Sequence, residues 1–256
     1  MTTAAAIAAA LVDAERTRTP ILPFTRGRPF LDTDTAYRAQ ASFVEHRVAA
    51  GERIIGAKLG LTSKVKRDAL GIHEPVYGRL TSGMVLAAGE PLVLDELIHP
   101  RAEPELALLL GRAITVWTTP VQALAAVDAV LPAIEVVDSR YSDRFRLPDS
   151  VADNAGAARV ALGAQARAPG ALVDLHVLGC LFRARGGART AAGGAAMGHP
   201  AVALAWLANT LTARGEALDA GTVVLTGGLT GSVPLQAGDT VTAEFDGLGS
   251  VGMRCR

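Results

Sequence analysis

Two glutamates one residue apart, Glu103 and Glu105, are the residues of this chain whose types and spacing most directly suggest chemistry. They lie in His99-Pro-Arg-Ala-Glu-Pro-Glu105, and the apolar run Ala107-Leu-Leu-Leu110 follows almost at once. On a strand, side chains two apart leave the same face, so both carboxylates would aim at one spot. On a helix they would stand far apart around the axis and could share no ligand. Two carboxylates held together repel unless a cation lies between them. A third acid, Glu135, sits inside the apolar stretch Leu131-Pro-Ala-Ile-Glu-Val-Val137, where an unpaired charge is costly. Three carboxylates with open coordination positions suit Mg²⁺ or Mn²⁺ better than zinc. On spacing alone, the same acids could be solvated strand-face residues or ion-pair partners of Arg101 and Arg140.

Lys58, in Gly56-Ala-Lys-Leu-Gly-Leu-Thr-Ser63, is the candidate cation for a carboxylate or enolate. The other reading is a strand lysine facing water. Gly60-Leu-Thr62-Ser63 and Thr226-Gly-Gly-Leu-Thr230 could present backbone N–H and hydroxyl groups to a substrate carboxylate, or be plain turns. Neither matches a dinucleotide or phosphate-loop fingerprint. The five histidines are scattered and no Gly-x-Ser-x-Gly elbow occurs, so a hydrolytic triad has no signal. His99 is expected at the surface or behind the metal ligands.

Elements must place these groups. Residues 3–18 read as an Ala-rich helix, and Pro20, Pro23, Gly27 and Pro29 as a loop. Asp32 or Thr33 can cap a second helix to about Ala50, ended by Gly51. Arg53–Leu61 reads as a strand, Thr62 or Ser63 as the cap of a short helix through Leu70, and Pro75–Gly78 as a turn. Short strands are expected near 84–87 and 91–94, and a long one from Glu105 to Trp117. A helix near 120–129 and a strand over 131–140 come next, then an irregular stretch from Asp143 to Asn154. Val173–Ala184 reads as a strand entering a hairpin at Gly186–Gly187, and 200–215 as a helix. Three strand-like pieces close the chain. Helix and strand without regular alternation argue for an α+β fold. It reads as one catalytic unit over 1–256, with a helical part at 1–52 capping a β-rich metal-binding core at 53–256.

The 256 residues are half hydrophobic and only 4% aromatic, so the core must rest on Ala, Val and Leu. Net charge is zero, with 25 basic and 25 acidic residues, which leaves no electrostatic footprint for nucleic acid. The apolar N-terminus lacks a basic leader, and no run is long enough to span a bilayer. Two distant cysteines, Cys180 and Cys255, fit a reducing, cytoplasmic setting.

In order and spacing, GAKLGLTSK, LGIHEPVYGRL, LIHPRAEPELAL, LPAIEVVDSRY, SVADNA, GHPAVALAWLANTL, LTGGLT and GDTVTAEFDGLGSV resemble the 2-oxopent-4-enoate hydratase / 4-oxalocrotonate decarboxylase family, related to the fumarylacetoacetate hydrolase fold. The resemblance spans about residues 53–254. It implies Glu103, Glu105 and Glu135 as ligands of Mg²⁺ or Mn²⁺ and Lys58 as the catalytic residue. It also implies helices around a curved, mixed β core, and substrate contacts from Thr62, Ser63, Val76, Asn154 and Thr230. Where the family reads Asp-Asn-Ala-Ser, this chain has Asp153-Asn154-Ala155-Gly156 and so lacks the serine hydroxyl. Hydratases carry an aspartate where this chain has Val76. That difference, with IHP, DSRY and TGGLT, resembles the decarboxylase branch. The implied reaction is decarboxylation of 2-oxo-3-hexenedioate to 2-hydroxypenta-2,4-dienoate in aromatic meta-cleavage catabolism. The alternatives are hydration of that dienoate or service as a non-catalytic partner of a hydratase. A C–C hydrolase would need a water-activating group that the sequence does not offer. The expected partners are a small 2-oxo acid and further copies of the chain, or a related hydratase.

Overall fold

The computed structural model describes residues 3–26, 31–70 and 72–256. Helix α1 (Ala4–Thr17) is capped by the Thr3 hydroxyl, which accepts from Ala6 N at 3.2 Å, and α2 (Thr33–Ala49) by Asp32, which accepts from Thr35 N at 2.6 Å. Of the loop expected between them, Gly27 and Pro29 lie outside the described residues. Strand β1 (Ile54–Gly60), helix α3 (Lys64–Leu70), strand β2 (Val76–Thr81) and strand β3 (Arg101–Leu110) follow. Helix α4 (Pro120–Ala125), strand β4 (Val127–Val137), helix α5 (Leu147–Ala152) and strand β5 (Ala157–Leu162) complete the middle of the chain. After them come the hairpin of β6 (Gly179–Ala184) and β7 (Gly187–Ala192), helix α6 (Pro200–Thr212), β8 (Val223–Leu225), β9 (Val233–Pro234), β10 (Thr240–Phe245) and β11 (Gly249–Arg254).

Among the described residues the strands form two sheets. One runs β2-β1-β8-β3-β4-β5, with β9 also paired to β3; it is mixed, because β1 and β8 are parallel and the other pairs antiparallel. The other, β11-β10-β6-β7, is antiparallel, and its β10 and β11 pack against β4. The α+β expectation holds. Ile7 and Leu11 of α1 and Phe43 of α2 share one buried cluster with β-strand residues such as Leu106, Leu108, Ile134 and Val136. The opposite face of the large sheet carries a small cluster of its own: Leu80, Ala107, Ala133, Val160 and Leu225.

Several expected boundaries move, each for a local reason. Residues 76–81 form a strand rather than a turn, because they pair with β1 from Gly60↔Val76 to Ile54↔Thr81. Gly78 inside it is required, since a Cβ there would stand 2.2 Å from the Asn154 carbonyl oxygen. The strands expected at 84–87 and 91–94 reduce to 3₁₀ turns at 82–84 and 94–96 and two isolated bridges, Val85↔Val160 and Leu92↔Cys255.

Strand β3 starts at Arg101, not Glu105, and runs through Pro104. The Pro104 carbonyl accepts from Leu229 N at 2.9 Å, so its missing N–H falls on the side where no regular strand needs a donor. The strand ends at Leu110, and Val116 and Trp117, expected within it, stand exposed. Strand β4 begins and ends earlier than expected, at 127 and 137, and α4 and α6 stop at 125 and 212. The stretch 143–154 is not irregular throughout: it contains α5, whose first turn is held by Asp149 accepting from Arg146 N at 3.0 Å. Residues 173–178 form turns, and the strand expected there begins at Gly179.

Candidate metal centre

Pairing of β3 with β4 sets Glu103 directly opposite Glu135 and Glu105 opposite Ala133, all on one sheet face. Like charges in direct cross-strand register repel. Ligand oxygens of Glu103, Glu105 and Glu135 all lie within 4.8 Å of one another. Glu105 and Glu135 are fully buried and Glu103 is half-buried. Lys58 reaches this face from β1, across the short strand β8. Its Nζ stands 3.0 Å from Glu135 Oε1, and it is 2% exposed. Lys58 therefore does not face water.

The segment after β8 closes over the carboxylates. Thr226 N donates to Leu106 O at 3.1 Å and Leu229 N to Pro104 O at 2.9 Å, which lays 226–229 along β3. Between them Gly227 N donates to Glu105 Oε2 at 2.6 Å. Gly227 has φ +106, and a Cβ there would stand 2.3 Å from Thr62 Oγ1; a Cβ on Gly228 would stand 2.2 Å from Glu103 Oε2. Glycine at both positions is therefore a steric requirement of the site. Leu61, at φ 57, turns the chain off the end of β1 and brings Thr62 against Gly227.

The electrostatics are lopsided. Burial pushes the Glu105 pKa up, the charges of Glu135 and Glu103 push it further, and Lys58 opposes them; the net is well above the usual carboxylate range. Burial acts to lower the Lys58 pKa, but the three carboxylates outweigh it and hold the ammonium above its ordinary value. Glu105 Oε1 and Glu135 Oε2 are buried without a hydrogen-bond partner, and Glu135 Oε1 has the Lys58 ammonium beside it but no hydrogen bond of good geometry. Buried carboxylate oxygens left without donors call for an explanation. Three carboxylates against one ammonium, with unused oxygens converging, fit a hard divalent cation. Arg101 and Arg140, the alternative partners for these acids, are engaged elsewhere. Arg101 bonds Ser232 Oγ at 2.9 Å and Ser232 O at 2.8 Å, and Arg140 pairs with Glu15 and Asp153.

The other residues expected at the site divide. Thr62 is buried against Gly227; Ser63 and Thr230 are half-buried, and Thr230 Oγ1 donates to Gly231 O at 3.1 Å. Val76 is 2% exposed, lies opposite Gly60 and shares the sheet face of Lys58. A Cβ on Gly60 would stand 3.0 Å from Val76 Cγ2 and 3.9 Å from Ala155 Cβ, so these side chains make an apolar wall beside Lys58. Val76 and Leu61 also border a cleft of about 770 Å³, whose farther walls include Ile72, Phe145, Trp206 and Arg214.

Asn154, expected to touch substrate, is fully buried, and its amide braces β2. Its Oδ1 accepts from Arg79 N at 2.7 Å and its Nδ2 donates to Arg79 O at 2.9 Å. Gly156 has φ +72 and stands 3.7 Å from Val137 Cβ by its own would-be Cβ, so nothing crowds the place of the missing serine. His99 is exposed, and its main-chain N–H donates to Asp138. Sequence reasoning missed the closeness of Gly227 and Gly228 to the carboxylates, and missed Ala155 as part of the wall. The paired glycines were a visible signal; nothing in the sequence pointed to Ala155.

Comparison with known proteins adds to this geometry. The family model described as fumarylacetoacetate (FAA) hydrolase C-terminal matches residues 38–256. A 4-oxalocrotonate decarboxylase of Pseudomonas sp. is 39% identical over 218 residues, covering 84% of each chain. A 2-keto-4-pentenoate hydratase of Paraburkholderia xenovorans (strain LB400) is 37% identical over 247 residues, covering 95% of this chain and 91% of the relative. The solved structure of 4-oxalocrotonate decarboxylase from Pseudomonas putida G7, complexed with magnesium and adipate, superposes with a TM-score of 0.93 at 34% identity, covering 99% of this chain and 97% of that one.

Proposed function

Given that the chain belongs to the fumarylacetoacetate hydrolase family, with decarboxylases and hydratases among its relatives, we propose that it is a metal-dependent lyase that decarboxylates 2-oxo-3-hexenedioate to 2-hydroxypenta-2,4-dienoate. Glu103, Glu105 and Glu135 would hold the ion. The orphaned oxygens of Glu105 and Glu135 support that assignment, and the magnesium in the decarboxylase relative supports Mg²⁺, with Mn²⁺ as its substitute. When bound, such an ion supplies Lewis acidity toward a 2-oxo acid.

The chain's own groups account for the rest. The distal carboxylate of the diacid is a vinylogue of a β-keto acid. As CO₂ leaves, the C5–C6 bonding pair becomes the C4=C5 double bond, the C3=C4 pair shifts to C2=C3, and negative charge arrives on the 2-oxo oxygen, which then takes a proton. The Lys58 ammonium supplies positive charge beside the carboxylates, where that oxygen would be bound. Thr62, Ser63 and Thr230 border the cradle and offer hydroxyl groups to the C1 carboxylate.

The observation that carries the choice of decarboxylation is the apolar wall of Val76 and Ala155 beside Lys58. An apolar lining favours loss of a charged carboxylate and supplies no base to activate water. Hydration of the dienoate is the second reading, favoured by the hydratase relatives at comparable identity.

Purified protein with Mg²⁺ is expected to release CO₂ from the diacid, to lose this activity in EDTA, and to leave 2-hydroxypenta-2,4-dienoate largely unchanged. Val76→Asp is expected to depress decarboxylation by setting a negative charge against the departing carboxylate. Rapid hydration of the dienoate by the wild type, with the diacid untouched, would select the second reading.

A further inference from the structure

The metal carboxylates sit near the end of their ladder that no connecting turn closes, flanked there by β9 on β3 and β5 on β4. The last β3–β4 pair is Arg101↔Val137, one pair beyond Ala102↔Val136 and two beyond Glu103↔Glu135. No turn joins the strands there; the chain connects them at the far end, through residues 111–126. Direct opposition of Glu103 and Glu135 works to open this end. Just past it, Asp138 is 4% exposed. Its Oδ2 accepts from Ile98 N at 3.0 Å and its Oδ1 from His99 N at 2.5 Å. Ile98 and His99 lead into β3 and Asp138 leads out of β4, so one carboxylate spans the two strands with a pair of charge-assisted hydrogen bonds.

Asp138 is itself fixed from behind. Its N–H donates to Gly156 O at 2.8 Å, and its carbonyl accepts from Arg140 Nη1 at 2.8 Å. The buried Arg140 guanidinium also reaches Glu15 of α1 at 3.0 Å and Ala157 O at 3.1 Å. The clamp is thus anchored to α1 and to β5, outside the ladder it closes.

We infer that Asp138 is a positioning residue for the metal carboxylates, clamping the end of the β3–β4 ladder so that Glu103 and Glu135 stay in register against their mutual repulsion. The inference rests on reading these glutamates as metal ligands. Groups that orient ligands from behind typically change metal affinity ten- to a hundredfold when removed.

The test measures Mg²⁺ affinity by calorimetry and amide exchange at Ile98 and His99, in the wild type and in Asp138→Asn, at a temperature where both are folded. The substitution leaves one carbonyl oxygen where two acceptors stood. Mg²⁺ affinity is expected to fall about ten- to a hundredfold, with faster exchange at both amides. Where Asp138→Asn does not fold, Asp138→Glu keeps the charge near Arg140, displaces the oxygens, and gives the same two readouts. Mg²⁺ binding at wild-type affinity despite faster exchange at the two amides would overturn the clamp alone. Absence of Mg²⁺ binding by the wild type would overturn the metal reading and the clamp with it.

Discussion

Two charge clusters, one on β4 at Glu135 and one just past its end at Arg140, differ in how their charges are balanced. Around Glu135, three carboxylates face one lysine, and several of their oxygens have no donor. Around Arg140 the charges are closer to balance, with two cations, Arg140 and Arg47, facing Glu15, Asp153 and Asp138, although Arg140 Nε, Arg47 Nε and Asp153 Oδ1 also lack a hydrogen bond. Arg140 reaches Glu15 at 3.0 Å and Asp153 at 3.3 Å, Arg47 pairs with Glu15, and Asp153 Oδ2 accepts from Arg140 N at 3.0 Å. Breaking a matched buried network strands a charge, whereas an unmatched one is already waiting for its counter-charge. The difference in charge balance, three carboxylates to one ammonium around Glu135 against two guanidinium groups around Arg140, marks the first as the candidate functional centre.

The largest effect is expected at Glu105. Glu105→Gln keeps an acceptor for Gly227 N but removes one anionic ligand and part of the repulsion. Turnover with Mg²⁺ is expected to drop by about 10³-fold or more. Thermal stability in EDTA is expected to stay level or rise, because the metal-free carboxylates destabilise one another. A large loss of metal-free stability would mean that the cluster is structural after all.

Arg140→Met should give the mirror image. Asp153 would be left buried without its cation, and half-buried Glu15 would keep Arg47 alone, at a cost of about 3–5 kcal/mol in denaturant unfolding. A variant as stable as the wild type would remove the distinction between the two clusters.

A smaller effect sharpens it. Burial pushes the Asp153 pKa up to about 7 although Arg140 opposes the shift. An acid whose folded pKa exceeds its unfolded value binds its proton more tightly when folded. Its contribution to stability is therefore full at acid pH and is lost as pH rises from about 4 to about 7. Over that range the wild type should lose stability relative to Asp153→Asn, measured by paired denaturant titrations. A difference that does not change with pH would mean that Asp153 is ionised throughout.

How much of this was legible in the sequence follows the same division. The carboxylate cluster was legible in part, because two acids at i, i+2 share a strand face and a third lies within an apolar run, and the β3–β4 register brings the three together. The α+β class and the N-terminal helices were legible from the order of elements and the Asp32 cap, whereas the mixed, curved β core was implied only by the family resemblance. The Arg140 cluster was not. Its members Glu15, Arg47, Asp138 and Asp153 are spread over the chain, and each alone looks like a surface charge on a helix, a strand end or a loop. Strand β2 was hidden because Pro75 and Gly78 look like turn residues; only the approach of Asn154 shows why a glycine sits within a strand. The bracing of β2 by Asn154 was hidden for a related reason, since its amide satisfies backbone groups of β2 that the sequence does not reveal as its neighbours.

The most direct test of the central claim is crystallographic. Crystals soaked in Mn²⁺ and measured for anomalous scattering should show one strong peak bonded to carboxylate oxygens of Glu103, Glu105 and Glu135, at distances of roughly 2.0–2.3 Å. No comparable peak should appear beside Asp138, Asp153 or Glu15. A peak at the Arg140 cluster, or three glutamates bridged only by Lys58 and water at saturating Mn²⁺, would contradict the account.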